Sequence, residues 1–217
     1  MSDALASPPA EARRGRKPGG ARSDESRGNI LAAARSLFAQ KGYDATSLDE
    51  IARDAGFTKG AVYYFFGSKE ALFLSLLDAI EQRSIGHTAS VMAECQGTTD
   101  QQISLFVRLQ AQWAANNPQD LAILMRSSID AVNDNSGISR KVAGIYQRME
   151  TALAAALRRD ESRTRSDDEN ADAVVSLLAL HDGNMLLWYR RGCDPVIGRR
   201  LVAATRRAMF FAIRLTR

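Results

Sequence analysis

The sequence predicts an all-α protein, a small N-terminal helical head followed by a larger helical body, with about nine helices in all. Three observations predict it. Only two prolines, Pro118 and Pro195, lie beyond Pro18, so little interrupts a helix. Ala, Leu, Arg and Glu are common and long β-branched runs are absent, which favours helix over strand. Apolar residues recur at three- and four-residue spacing, and at 45% of the chain they are numerous enough to fill a core.

The elements follow in order. Residues 1–24 read as a disordered basic tail, because Arg13, Arg14, Arg16, Lys17 and Arg22 cluster among Gly and Pro without apolar partners. A first helix starts near Ser23 or Asp24. Ile30, Leu31, Ala34, Leu37 and Phe38 form its apolar stripe, and Gly42 closes it as a left-handed cap. Ser47 with Glu50 three residues on is a capping box and opens a second helix, whose inner face is Ile51, Ala52 and Ala55. Gly56 ends it, and Thr58 caps a third helix that runs to about Phe66. After the break at Gly67, Ser68 caps a fourth, with Leu72, Phe73, Leu76, Leu77 and Ile80 inward, extending past Arg83.

Five further helices make the body. Thr99 with Gln102 reads as another capping box, before Ile103, Phe106, Val107, Gln110 and Trp113. Asn117 and Pro118 are an N-cap and a first-turn proline, before Leu121, Leu124, Met125 and Ile129. Asn133 to Gly137 is a turn cluster, and Val142, Ile145, Tyr146, Met149, Leu153 and Leu157 then repeat at helical spacing. Arg158 to Glu169 is charged or hydroxylic and reads as an exposed loop. The next helix, about Asn170 to Arg191, is apolar nearly all round at Val174 to Leu180, so it must be covered on more than one side. Asp194 and Pro195 cap the last helix, with Val196, Leu201, Val202, Met209, Phe210 and Ile213.

Several classes of function are disfavoured. No stretch reaches about 18 apolar residues, so no membrane span is expected, and the N-terminus is unlike a secretory signal; a cytoplasmic protein is expected. Cys95 and Cys193 then read most simply as reduced thiols, with a disulfide or thiol sensor as the alternative. With two histidines and no HExxH, CxxC, GxSxG or phosphate-cradling Gly loop, no catalytic residues, metal site or cofactor are expected.

The segment Ser47–Phe73, SLDEIARDAGFTKGAVYYFFGSKEALF, carries the functional signal. Two short capped helices joined by a tight turn form a helix–turn–helix, whose second helix enters the major groove. On that helix Val62 and Phe66 point inward, while Lys59, Gly60, Tyr63 and Tyr64 lie on the other stripes. Four consecutive aromatics, Tyr63 to Phe66, cannot all face inward, and exposed paired aromatics need a partner. Gly60 and Ala61 remove bulk where backbone nears the duplex. Lys59 can donate to guanine or phosphate, and the two tyrosines offer ring faces to thymine methyls and hydroxyls to phosphate. Ser47 and Thr58, at helix N-termini, and Lys69, in the next helix, are placed to grip the DNA backbone.

These motifs resemble the N-terminal domain of the TetR family of bacterial transcriptional regulators, from about Ser26 to Leu77. The resemblance rests on the capped second helix with Ile51-Ala52, on the run Ala55 to Tyr64, and on Phe66 to Leu72. It implies a homodimer built through the last two helices, with a helix–turn–helix domain at 25–70 and an effector-binding, dimerising domain at 71–217. The implied partners are double-stranded operator DNA, roughly palindromic, and an apolar or amphipathic small-molecule effector, with no membrane. By position, Lys59 and Gly60 meet bases; Tyr63 and Tyr64 meet bases or phosphates; Ser47, Thr58 and Lys69 clamp the backbone. The family often carries His after the tyrosine pair where this chain has Phe65, which removes an imidazole donor. The tail segment Arg14, Arg16 and Lys17 reads equally as an arm along DNA or as a solubilising tail. Effector-lining candidates are Phe106, Trp113, Met125, Tyr146, Met149 and Trp188, each of which also reads as plain core. His181, Asp182 and Asn184 are polar groups inside an apolar helix, placed to pair in the core, across the dimer or with an effector. The remaining alternative to an effector-responsive repressor is a DNA binder without any ligand.

Overall fold

Local hydrogen bonds set where the helices of the head begin. The computed structural model describes residues 20–130, 136–159 and 166–215. There, Ser47 Oγ accepts the Glu50 N–H at 3.2 Å, and the Glu50 carboxylate accepts the Ser47 N–H at 3.0 Å. Thr58 Oγ1 accepts the Ala61 N–H at 3.2 Å, and Ser68 Oγ the Ala71 N–H at 3.0 Å. These bonds open α2 (Leu48–Asp54), α3 (Lys59–Phe66) and α4 (Lys69–Glu81) behind α1 (Gly20–Lys41). Gly42 and Gly56, with φ of 83° and 73°, turn the chain after α1 and α2 in the left-handed region that side chains disfavour.

The described residues contain helices and turns but no strand. From α4 the chain runs through a π-helical turn, Gln82–Gly86, directly into α5 (His87–Glu94). Then come α6 (Thr99–Asn116), α7 (Pro118–Asp130), α8 (Gly137–Arg158), α9 (Asp167–Arg190) and α10 (Pro195–Leu215). Counting α4, the π turn and α5 as one rod recovers the nine helices expected among the described residues.

The head core gathers Ile30, Ala34, Phe38, Ile51, Val62 and Leu72, with the Phe38 and Phe73 rings edge to face at 4.7 Å. In the body, α6 to α9 close round Ile103, Phe106, Leu121, Ile145, Leu153 and Leu177. Between head and body, α1 lies along α7. Lys141 of α8 pairs with Asp78 and the buried Glu81 of α4, tying the rod to the body.

Four boundaries differ from expectation. Helix α1 already includes Gly20. The capping box of α6 is Thr98 with Gln101, one residue earlier than predicted. Thr99 is buried and its hydroxyl donates to the Ala156 carbonyl at 2.9 Å, while Gln102 donates to the Cys95 carbonyl at 2.6 Å. Asn117 does not cap α7 through its side chain, which donates back to the Trp113 carbonyl at 2.8 Å and accepts from Arg35. The expected loop from Arg158 to Glu169 is shorter: α8 includes Arg158, and a Ser166–Glu169 capping box starts α9 at Asp167. The tail residues Arg14, Arg16 and Lys17 lie outside the described residues, as do 131–135 of the turn region.

Candidate DNA interface and the second-domain cavity

The outward stripe of α3 is aromatic and cationic. Val62 and Phe66 are buried, while Tyr63 is 47% and Tyr64 73% exposed. Phe65 is half-buried and meets the Tyr64 ring edge-on at 5.3 Å. It thus braces its neighbour rather than replacing an imidazole donor. Arg27 of α1 lies over the Phe66 ring, 4.9 Å from its centroid, and holds the base of α3 against the head.

Beside that stripe is a hollow of about 400 Å³, bordered by residues 44–49, α3 and the start of α4. Ser47, Lys59, Tyr63 and Lys69 all line it. Thr58, Gly60 and Tyr64 lie outside its lining, on exposed positions of α3 and its N-cap. Lys69 reaches across, its ammonium 4.3 Å from the Tyr43 centroid and 3.3 Å from the Asp44 carbonyl oxygen that accepts from it.

Sequence reasoning missed the partner of Lys59. Its ammonium donates to Asp49 Oδ2 at 2.7 Å across the mouth of the hollow. That hydrogen bond holds the Lys59 pKa above its ordinary value. A signal was present: Asp49 stands two residues after the Ser47 cap, in the first turn of α2, and so at the edge that α3 faces. Behind it, the hydrogen bond from Lys41 at 2.6 Å, with the Ser47 backbone and hydroxyl, lowers the Glu50 pKa to about 2. The capping box therefore stays ionised at neutral pH.

Residues 30–76 match the family model described as bacterial regulatory proteins, tetR family. The chain is similar to the MbdR regulator from Azoarcus sp. CIB, whose crystal structure superposes with a TM-score of 0.73. The two are 32% identical over 85% of this chain and 96% of that one. The chain belongs to the TetR family. It is a DNA-binding transcriptional regulator of that family. It is also similar to the regulator EthR of Mycolicibacterium smegmatis, at 23% identity over 80% of this chain and 79% of that relative. Likeness to YuxN of Bacillus subtilis is higher, 55%, but spans only 23% of this chain and 17% of that protein. FadR from Bacillus subtilis, in complex with stearoyl-CoA, shares the fold with a TM-score of 0.69 at 18% identity, over 85% of this chain and 96% of that one.

In the TetR-like body, five of the six effector candidates are packed away from the apolar cavity between α6, α9 and α10. Phe106, Trp113, Met125 and Met149 are buried and Tyr146 is half-buried. Trp188 alone of the six lines that cavity, a space of about 400 Å³ between α6, α9 and α10. The Trp188 indole N–H donates to the Asp194 carbonyl at 2.8 Å. The indole N–H of Trp113 is buried without a partner among the described residues.

The polar trio of α9 divides. Asn184 donates to the Leu180 carbonyl and to Thr205 Oγ1, both at 2.8 Å. Burial raises the Asp182 pKa to about 6, and burial with the nearby Asp182 charge raises that of Tyr146 to about 12. His181 is 4% exposed, edge-on to Phe106 at 5.1 Å, and burial lowers its pKa to about 4.

Proposed function

We propose that this TetR-family chain is a homodimeric repressor that binds a roughly palindromic operator and is released by a small-molecule effector. The observation that carries the DNA reading is the exposed stripe of Lys59, Tyr63 and Tyr64 beside a hollow shared with Ser47 and Lys69. An α-helix with small residues at its N-terminal turn and exposed aromatics behind them suits a major groove. In this reading Gly60 lets the backbone approach base edges, Thr58 adds a phosphate contact, and residues 14–17 add an arm. The DNA-binding unit is 25–70 and the regulatory unit 71–217.

Dimerisation through α9 and α10 is supported by an apolar exposed stripe. Val175, Ala179, Gly183 and Leu187 recur every four residues on α9, all exposed, and Val196 and Phe211 are exposed on α10. Nothing lies within 4 Å of a Cβ built at Gly183, leaving room for a second helix. A symmetric pair of heads reads a symmetric site, with half-sites spaced by about one DNA turn, roughly 34–36 Å, or a multiple. A dimer that covers a promoter excludes polymerase without any further contact, which favours repression. The stearoyl-CoA complex of FadR supports the view that a body of this fold can accommodate an amphipathic molecule.

Electrophoretic shift with DNA flanking the protein's own gene tests the proposal. Salt-sensitive, sequence-selective binding by a dimer is expected, and K59A/Y63A should lose selectivity while remaining dimeric. Binding that ignores sequence, or selectivity that survives the double substitution, overturns α3 as the reader.

A further inference from the structure

The cavity between α6, α9 and α10 has an uneven chemistry. Its walls are mostly apolar, with Val107, Met185, Trp188, Leu201 and Val202 prominent. Two cations line it, Arg108 from α6 and Arg199 from α10, both exposed and without an ion-pair partner among the described residues. Among the described residues no acidic side chain lines it. Asp194, near in sequence, is engaged elsewhere: its carboxylate accepts the Val196 and Ile197 N–H groups at 2.9 and 2.8 Å.

A second observation points to a ligand. The buried polar groups of the wall are satisfied by protein: Asn184 by Leu180 and Thr205, Thr205 by the Leu201 carbonyl, Trp188 by Asp194. His181 is the exception. It lines the same cavity, is almost wholly buried, and makes no hydrogen bond among the described residues. Its ring nitrogens are not among the buried atoms left without a partner, so they reach the cavity space, where a bound molecule can hydrogen-bond them.

We propose that this cavity binds an amphipathic organic anion, with its apolar body along Trp188 and Val202, its carboxylate between Arg108 and Arg199, and a polar atom against His181. The arginines give a planar carboxylate charge-assisted hydrogen bonds that a neutral or cationic head group cannot return. The site differs from the interior position expected from the sequence, since of the six candidates only Trp188 belongs to it. The proposal deepens the effector-responsive reading and rests on it only for what happens at DNA; binding is measured apart from DNA.

The test uses the full-length protein and three probes of one shape, 4-butylbenzoate, 4-butylbenzamide and 4-butylbenzylammonium. Binding is followed by isothermal titration, and by Trp188 fluorescence in a W113F background. The benzoate should bind about tenfold or more tightly than the amide, the effect of two partly solvated ion pairs, and the ammonium least. In R108Q/R199Q, both changes being at exposed side chains, benzoate affinity should fall to that of the amide while the amide is unchanged. Equal affinity for benzoate and amide, benzoate binding that survives R108Q/R199Q, or no saturable benzoate binding at millimolar concentration overturns the proposal. Each of these results leaves the operator assay intact, so failure here is distinct from failure of the DNA-binding reading.

Discussion

Arg35 in α1 and Asp120 in α7 form an ion pair across the junction of head and body, with Arg35 Nε donating to Asp120 Oδ1 at 2.6 Å. Asp120 is wholly buried, and its second oxygen accepts from Arg83 of the π turn at 3.0 Å. One carboxylate therefore joins the first helix of the head to the rod and to the body. D120A should lower unfolding free energy by about 2–3 kcal/mol in urea titrations. That is less than the roughly 3–5 kcal/mol of a fully buried pair, because both arginines are partly exposed and can rehydrate. R35A should cost less, since Arg83 still neutralises the carboxylate. An R35A/D120A cycle with no coupling energy would show that the contact does not hold the junction.

The Lys59–Asp49 bond makes a prediction about DNA rather than stability, as both groups are exposed. Asp49 competes with phosphate for the Lys59 ammonium and adds a negative charge beside the hollow. D49N should bind operator several-fold more tightly at the same salt. K59A should reduce the slope of log K against log salt by about 0.9, the value for one lost phosphate contact. Fluorescence anisotropy across a salt series measures both. Weaker binding by D49N would mean that Asp49 positions Lys59 rather than competing for it.

His181 and Asp182 oppose one another in pH dependence. Asp182 has a folded pKa of about 6 against an ordinary 3.8, raised by burial, so the folded state binds the extra proton. Its contribution to stability is fully present below pH 3.8 and lost as pH rises to about 6. His181 is lowered by burial to about 4 from 6.5, so the unfolded state binds the extra proton and stability is lost as pH falls through that window. Each contribution is of the order of 3 kcal/mol and the two nearly cancel. D182N should therefore unmask stability that rises from pH 4 to 6.5, and H181Q stability that falls. Thermal midpoints across this range decide it, and parallel curves for the two variants would refute the assignment.

The head was legible in the sequence because its determinants are local. Ser47–Glu50, Thr58–Ala61 and Ser68–Ala71 each close within three residues, so the helix starts can be read without knowing what packs on them. At TTDQQ two Thr-x-x-Gln pairs overlap, and Thr99 is withdrawn from capping by Ala156, 57 residues away. Acidic Asp167 to Glu169 looked like loop, yet charge in a first helical turn favours the helix dipole. Arg35 and Asp120, 85 residues apart, left no mark on either segment. For the candidate sites, the grouping of Ser47, Lys59, Tyr63 and Lys69 follows from short-range geometry. The cavity does not: apolar residues at helical spacing mark filled core and ligand wall alike, so Phe106 and Trp188 could not be told apart.

The packing of α10 on α9 depends on the absence of a side chain at Gly198. A Cβ there would lie 2.9 Å from Trp188 Cε2 and 3.0 Å from Cζ2. The indole cannot step aside freely, since its N–H is held by the Asp194 carbonyl at 2.8 Å, in the turn that precedes α10. G198A must therefore lift α10 or break that bond, at an overpacking cost of about 1–3 kcal/mol. A lower thermal midpoint and a red-shifted Trp188 emission are expected. The indole extends past a phenyl ring at Cζ2, and a phenyl ring lacks the N–H held by Asp194, so W188F should let the ring shift and relieve part of the clash. W188F/G198A should thus be more stable than the two single effects add up to, with a coupling of about 1 kcal/mol or more. Additive behaviour would show that α10 moves away without cost, and that Gly198 does not set its distance from α9.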